Sequence, residues 1–135
     1  MPTTKELAIQ LEDNPGSLGK VCRELANKGV NILAFQAFQS PGNSSIRLVV
    51  DNPTAAKKVL DTEHVSYTET EVAQVKLQQR PGELARAASQ LGDAKININY
   101  AYVGLDPNTD VALVIFGVKE AGQAAMILDR IAAAA

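Results

Sequence analysis

Leu7, Ile9 and Leu11 alternate with Ala8, Gln10 and Glu12, a period of two that predicts a β-strand. Asp13-Asn14-Pro15-Gly16 breaks it. Leu18, Val21, Cys22, Leu25 and Ala26 then recur at helical spacing and predict a helix with one buried face. Lys28-Gly29 closes that helix, with Gly29 suited to a left-handed cap. Val30 to Gln39 and Ser45 to Asp51 predict a β-hairpin that turns at Ser40-Pro41-Gly42-Asn43. Asn52-Pro53 predicts the cap and first position of a second helix, with Ala56, Val59 and Leu60 inward. Val65 to Thr70 predicts a fourth strand, running almost directly into another at Val72 to Leu77.

The same plan then recurs. Glu83 to Leu91 predicts a helix with Leu84, Ala87, Ala88 and Leu91 on one face. Lys95 to Val103 and Asp110 to Val118 predict a hairpin around Asp106-Pro107-Asn108-Thr109. Glu120 to Ala133 predicts a last helix with Ala124, Ile127, Leu128 and Ile131 inward. A fourth strand is not expected in this half, unless the region around Thr70 serves both.

The recurrence is visible residue by residue. A constant shift of 66 (Pro15 to Pro81) superposes Leu11 on Leu77, Pro15-Gly16 on Pro81-Gly82, Leu18 on Leu84, Leu25 on Leu91 and Asn31-Ile32 on Asn97-Ile98. Leu48-Val49-Val50 matches Leu113-Val114-Ile115 one residue out of that register, a slip that a hairpin loop tolerates. The expectation is an α+β chain of two tandem modules, residues 1–70 and 71–135. Each is a ferredoxin-like βαββαβ unit, an antiparallel sheet with its helices on one face. A module this small buries little of its surface by itself, so side-by-side association is expected.

In the strand from Val30, Leu33, Phe35 and Ala37 share parity with Asn31 and oppose Val30, Ile32 and Ala34. Both faces are therefore apolar, which points to a covering second subunit, as in a homodimer. A strand buried within one chain, or a bulge that changes parity, would account for the pattern as well. By the same parity, Tyr100 and Tyr102 are expected to complete the core with Ile96 and Ile98.

Composition narrows the function. The 135 residues are 46% hydrophobic with a formal net charge of -2, which leaves no basic footprint for a nucleic-acid partner. One cysteine, Cys22, and one histidine, His64, exclude a disulfide and the usual zinc sets, so no metal and no cofactor is implied. Cys22 is expected to be a buried, inert thiol and His64 a surface residue. The N-terminus is not a secretory signal and no run is long enough to span a membrane, so a cytoplasmic location is expected. No base, nucleophile and orienting group form a recognisable set, which argues against an enzyme.

The strand–Pro-Gly–helix junction is where binding chemistry is expected. A helix start carries unpaired N–H groups and partial positive charge, which suit a carboxylate. Gly16 and Gly82 let a ligand approach the backbone, Asp13 or Asn14 could take an ammonium group, and Asn31 and Asn97 offer donor and acceptor together. That combination of polarities fits an α-amino acid. Asp13 and Asn14 could equally cap the helix. Asn31 and Asn97 could equally steady the start of a strand.

Asp13-Asn14-Pro15-Gly16-Ser17-Leu18 with Gly29-Val30-Asn31-Ile32 resembles the ACT domain, an amino-acid-binding regulatory module. Gln79-Arg80-Pro81-Gly82-Glu83-Leu84 with Lys95-Ile96-Asn97-Ile98 is similar to a second, more divergent copy. The resemblance covers essentially the whole chain. It implies modules paired side by side with ligand between them, contacted by the polar residue two before the proline and by the asparagine at the strand start. Those positions are Asp13 and Asn31 in the first copy, Gln79 and Asn97 in the second. The implied ligand-binding set is Asp13, Asn14, Pro15, Gly16, Ser17, Leu18, Asn31 and Ile32, with Gln79, Arg80, Gly82, Asn97 and Ile98. A family member that binds serine carries a histidine where this chain has Leu11 and Leu77, so serine is not carried over. The expected function is a non-catalytic sensor or regulatory protein for a free amino acid, acting on a regulated enzyme or other protein. The competing expectation is a structural or dimerisation module with vestigial pockets.

Overall fold

A computed structural model describes residues 3–109 and 111–134; the expected strand start at Asp110 lies outside the described residues. The elements run β1 (Thr3–Glu12), α1 (Ser17–Asn27), β2 (Ile32–Ser40), β3 (Asn43–Val50), α2 (Pro53–Thr62), β4 (Tyr67–Leu77), α3 (Glu83–Asp93), β5 (Ile98–Leu105), β6 (Ala112–Val118) and α4 (Ala121–Ala134). They divide into two compact units, Lys5–Thr70 and Glu71–Ala135, the latter together with the first residues of the chain.

Local chemistry places the helix ends. The Asn52 side chain accepts the Ala55 N–H at 3.1 Å, with Pro53 in the first turn of α2. Three helices close in the same way. Val30 N–H donates to Leu25 O, Val65 to Leu60 O and Ile96 to Leu91 O, each over a residue of positive φ. That residue is Gly29 (φ 73°), His64 (57°) or Lys95 (63°). This is the Schellman pattern, which satisfies the last carbonyls of a helix. His64 is thus an exposed helix terminator, and Lys95 ends a helix rather than opening a strand.

In the first unit β3 is paired antiparallel with β1 (Leu7↔Leu48 to Glu12↔Asn43) and with β2 (Phe35↔Leu48 to Ser40↔Asn43). Pro41 and Gly42 (φ 79°) make the hairpin turn, and glycine suits the positive φ required there. Leu7, Ile9, Ile46 and Leu48 bury one sheet face against Val21 and Leu25 of α1 and Ala56 and Leu60 of α2. Both helices therefore lie on one face. The second unit repeats this: β6 pairs antiparallel with β4 and β5, and Val75, Val114 and Phe116 pack on Ala87, Leu91, Ala124 and Leu128.

Four expectations need correction. Val65 to Thr70 and Val72 to Leu77 are not two strands: β4 is continuous from Tyr67 to Leu77, because no Gly or Pro interrupts it. Its residues divide between the units, which change at Thr70/Glu71. The hairpin strands also change parity, with register shifts between Ile32 and Ala34 and between Ile98 and Tyr100. A bulge of one residue, Leu33 or Asn99, turns every later side chain to the other face. Tyr100 and Tyr102 consequently leave the helix-side core and pair with Gly117 and Ile115 on the opposite face, stacked with ring centroids 6.4 Å apart. Finally, Ala26 and Leu84 are exposed rather than inward, since each lies at the flank of its helix's buried stripe.

Candidate functional site

The first junction is open and uncapped. Gly16 precedes α1 with φ 88°, ψ -9°, and no side chain caps the helix. Ser17 N–H donates to Asn14 O at 3.2 Å and Asn14 N–H to Glu12 O at 2.8 Å, two backbone bonds that shape the bend. A left-handed φ of this size favours glycine, and a methyl group built on Gly16 would meet open space. Glycine is therefore there for its conformation, and the ground above it is clear.

The polar residues of the loop face elsewhere than the helix start. Asn14 Nδ2 donates to Glu12 Oε2 at 2.8 Å. Asp13 Oδ2 accepts from Gln39 Nε2, a residue at the far end of β2. The helix-capping role open to Asp13 and Asn14 is thus not the one they take. Asp13, Asn14, Pro15 and Gly16 are all exposed, while Ser17 and Leu18 are half-buried and Leu18 packs on the core.

The second junction has the same backbone and different chemistry. Gly82 precedes α3 with φ 88°, ψ -11°, again without a side-chain cap. Here Glu83 sits in the first turn, held by Arg80 Nη2 at 3.2 Å and Arg86 Nη2 at 3.0 Å. A carboxylate is favourable at this end of a helix. Gln79, Arg80 and Gly82 are exposed, and a bound acid would meet Glu83 as well as Arg80.

Asn31 stands at the other end of the sheet. Its N–H donates to Asp51 Oδ1 at 2.9 Å, and Asp51 N–H donates back to Asn31 O at 3.0 Å. Both β1 and β2 run antiparallel to β3, so they run parallel to each other. The end of β1 therefore lies beside the end of β2, as the Asp13–Gln39 bond confirms, while Asn31 marks the beginning of β2. Nine residues of β2 at about 3.3 Å each separate the two by roughly 30 Å. Within one module the structure does not bring Asp13 and Asn31 together. The same holds for Gln79 and Asn97, whose Nδ2 donates to Asn99 Oδ1 at 3.2 Å. Ile32 and Ile98 pack under these asparagines as half-buried parts of their cores.

Two of these partners differ in how they could have been foreseen. The Glu83–Arg86 spacing of three is legible in the sequence as a helix-surface pair, while Arg80 joins it from the loop before α3. Gln39 is not, because only strand register brings it to Asp13. Cys22 is half-buried, and burial raises its thiol pKa, which disfavours the reactive thiolate. Among the described residues no group of three or more His, Cys, Asp and Glu could hold a metal, and no helix is long and apolar enough to cross a membrane.

A duplicated sheet-and-helix module, each copy opening on a glycine-bent strand–helix junction, defines the class. The chain belongs to the ACT domain family: the model of the ACT domain pair matches residues 2–133. It is similar to a crystallised protein of Bacteroides thetaiotaomicron, 26% identical, over 96% of this chain and 88% of that one, with a TM-score of 0.83. The ligand-free regulatory subunit of aspartate kinase from Thermus thermophilus is 18% identical over 96% of this chain and 92% of that one (TM-score 0.64). Its counterpart from Thermus flavus is also 18% identical, over 97% of each chain (TM-score 0.56). At that identity the two show a shared fold. No curated protein matches the chain.

Proposed function

We propose that this chain is a non-catalytic, cytoplasmic regulatory protein that binds a free amino acid between ACT modules, with a module boundary at Thr70/Glu71. The observation that carries this reading is the uncapped helix start behind Gly16. It leaves the first turn of α1 without a side-chain cap and the space above Gly16 clear, three residues after Asp13, whose exposed carboxylate accepts from Gln39. An α-amino acid supplies the matching carboxylate and ammonium. The Asn31 carboxamide, which has no partner among the described residues, would complete the site from another module. Since it lies at the opposite end of its own sheet, this requires two modules side by side in antiparallel sense.

The regulatory-subunit relatives support a role in controlling an enzyme, as their names state for aspartate kinase. Exposed Phe35 and Phe38 on β2 suit a homodimer. Ligand would regulate by favouring one assembly or conformation over another.

Calorimetry against the twenty free amino acids tests the reading. One or a few small amino acids should bind, and Asp13→Ala and Asn31→Ala should each weaken the hit by about tenfold or more, as loss of a charged hydrogen bond does. A hit bound equally well by both variants would place the site elsewhere. No binding by any amino acid would leave the chain a structural module.

A further inference from the structure

The sheet end that carries Asn31 and Asn97 is built differently in the two modules. In the first, the Asp51 carboxylate accepts the Asn31 N–H. The pairs Ile32↔Val50 and Ile98↔Val118 make Lys119 the counterpart of Asp51, so Leu48-Val49-Val50 correspond to Phe116-Gly117-Val118 and not, as expected from the sequence, to Leu113-Val114-Ile115. The internal carboxylate is thus replaced by a cation, and no group among the described residues accepts the Asn97 N–H. A second cation stands at Lys95, where the first module has Gly29. Its φ of 63° is strained for a side-chain-bearing residue, a strain that glycine avoids. Lys95, Asn97, Asn99, Lys119, Glu120 and Gln123 line a cavity of about 480 Å³, roomy enough for a small organic ion. Lys95 and Lys119 form no ion pair among the described residues, so two cations face one carboxylate there.

We propose that this cavity is an anion site, taking a carboxylate or phosphate group where the first module places its own Asp51. The bound group would accept from the Asn97 N–H and from the two ammonium groups, charge-assisted bonds of the stronger kind. The site shares Asn97 with the amino-acid reading of the second module and so deepens that reading at this end, while Arg80 and Gly82 lie at the other end of the module; phosphate shifts without amino-acid binding, or the reverse, tell the two apart.

The test is a titration of the whole chain with inorganic phosphate and, separately, with succinate, read from the NMR amide signals of Asn97, Asn99 and Gln123. Sodium chloride of matched ionic strength is the control. Saturable shifts at these residues are expected, and the tighter probe tells phosphate from carboxylate. Lys119→Asp, which reinstates the internal carboxylate, should weaken binding by about tenfold or more. Lys95→Gly should weaken it several-fold while relieving the backbone. Both positions are exposed, and a thermal melt verifies that the variants fold. Shifts reproduced by chloride, or an affinity unchanged in Lys119→Asp, would overturn the site.

Discussion

On the sheet face away from the helices, the first module buries Glu6, fully enclosed, with its carboxylate 3.1 Å from Arg47. The second module has Val72 and Ile115 at the matching register positions, both fully buried. Beside them the size order reverses: Ala34 faces Val49 in the first module, whereas Tyr100 faces Gly117 in the second. One backbone therefore supports an ionic solution and an apolar one. What is kept is the pairing and roughly the combined volume of each pair, not the chemistry or the size at a single position.

The largest expected effect comes from breaking that ion pair on one side. Arg47→Ile leaves the Glu6 charge buried; because Arg47 itself is partly exposed, the cost should sit at the low end for such pairs, about 3 kcal/mol in urea unfolding. Converting both, Glu6→Val with Arg47→Ile, copies the second module and should recover most of that loss. A double variant as unstable as the single one would show that the two modules are not interchangeable here.

Next is the tyrosine. A Cβ on Gly117 would come within 2.1 Å of the Tyr100 ring. Gly117→Ala should therefore cost about 2 kcal/mol by overpacking. Gly117→Val with Tyr100→Ala, which installs the first module's pair, should restore much of it. Near-neutral behaviour of Gly117→Ala would mean that the ring moves aside freely.

The smallest effect concerns the hairpin turns, Pro41-Gly42 in one module and Asp106 to Thr109 in the other. The Thr109 side chain first, and Lys76 at 3.3 Å after it, hold the Asp106 carboxyl below its usual pKa, against an opposing desolvation. A depressed carboxyl contributes stability above its unfolded pKa, about 3.9, and loses it as pH falls through the lower native value. Asp106→Asn should be slightly less stable near neutrality, with the difference from the parent shrinking below about pH 4. A difference constant with pH would exclude this contribution.

Much of this was legible in the chain. The alternation around Leu7 and Ile9, the helical stripe through Val21 and Leu25, the Asn52-Pro53 cap and the 66-residue recurrence located the elements and the two junctions. Each depends only on neighbours a few positions away. The inward places given to Tyr100 and Tyr102 failed because one bulged residue reverses parity, and a bulge is defined by its partner strand.

The sequence by itself determined two modules, the glycine bend at each junction and Gly29 as the end of the first helix, because glycine's φ preference and hydrophobic period are local properties. Tertiary structure alone decided that Gln39 meets Asp13, that Asp13 and Asn31 stand at opposite ends of one sheet, and that Glu6 finds Arg47. Those facts rest on strand register, which is set between segments far apart in the chain.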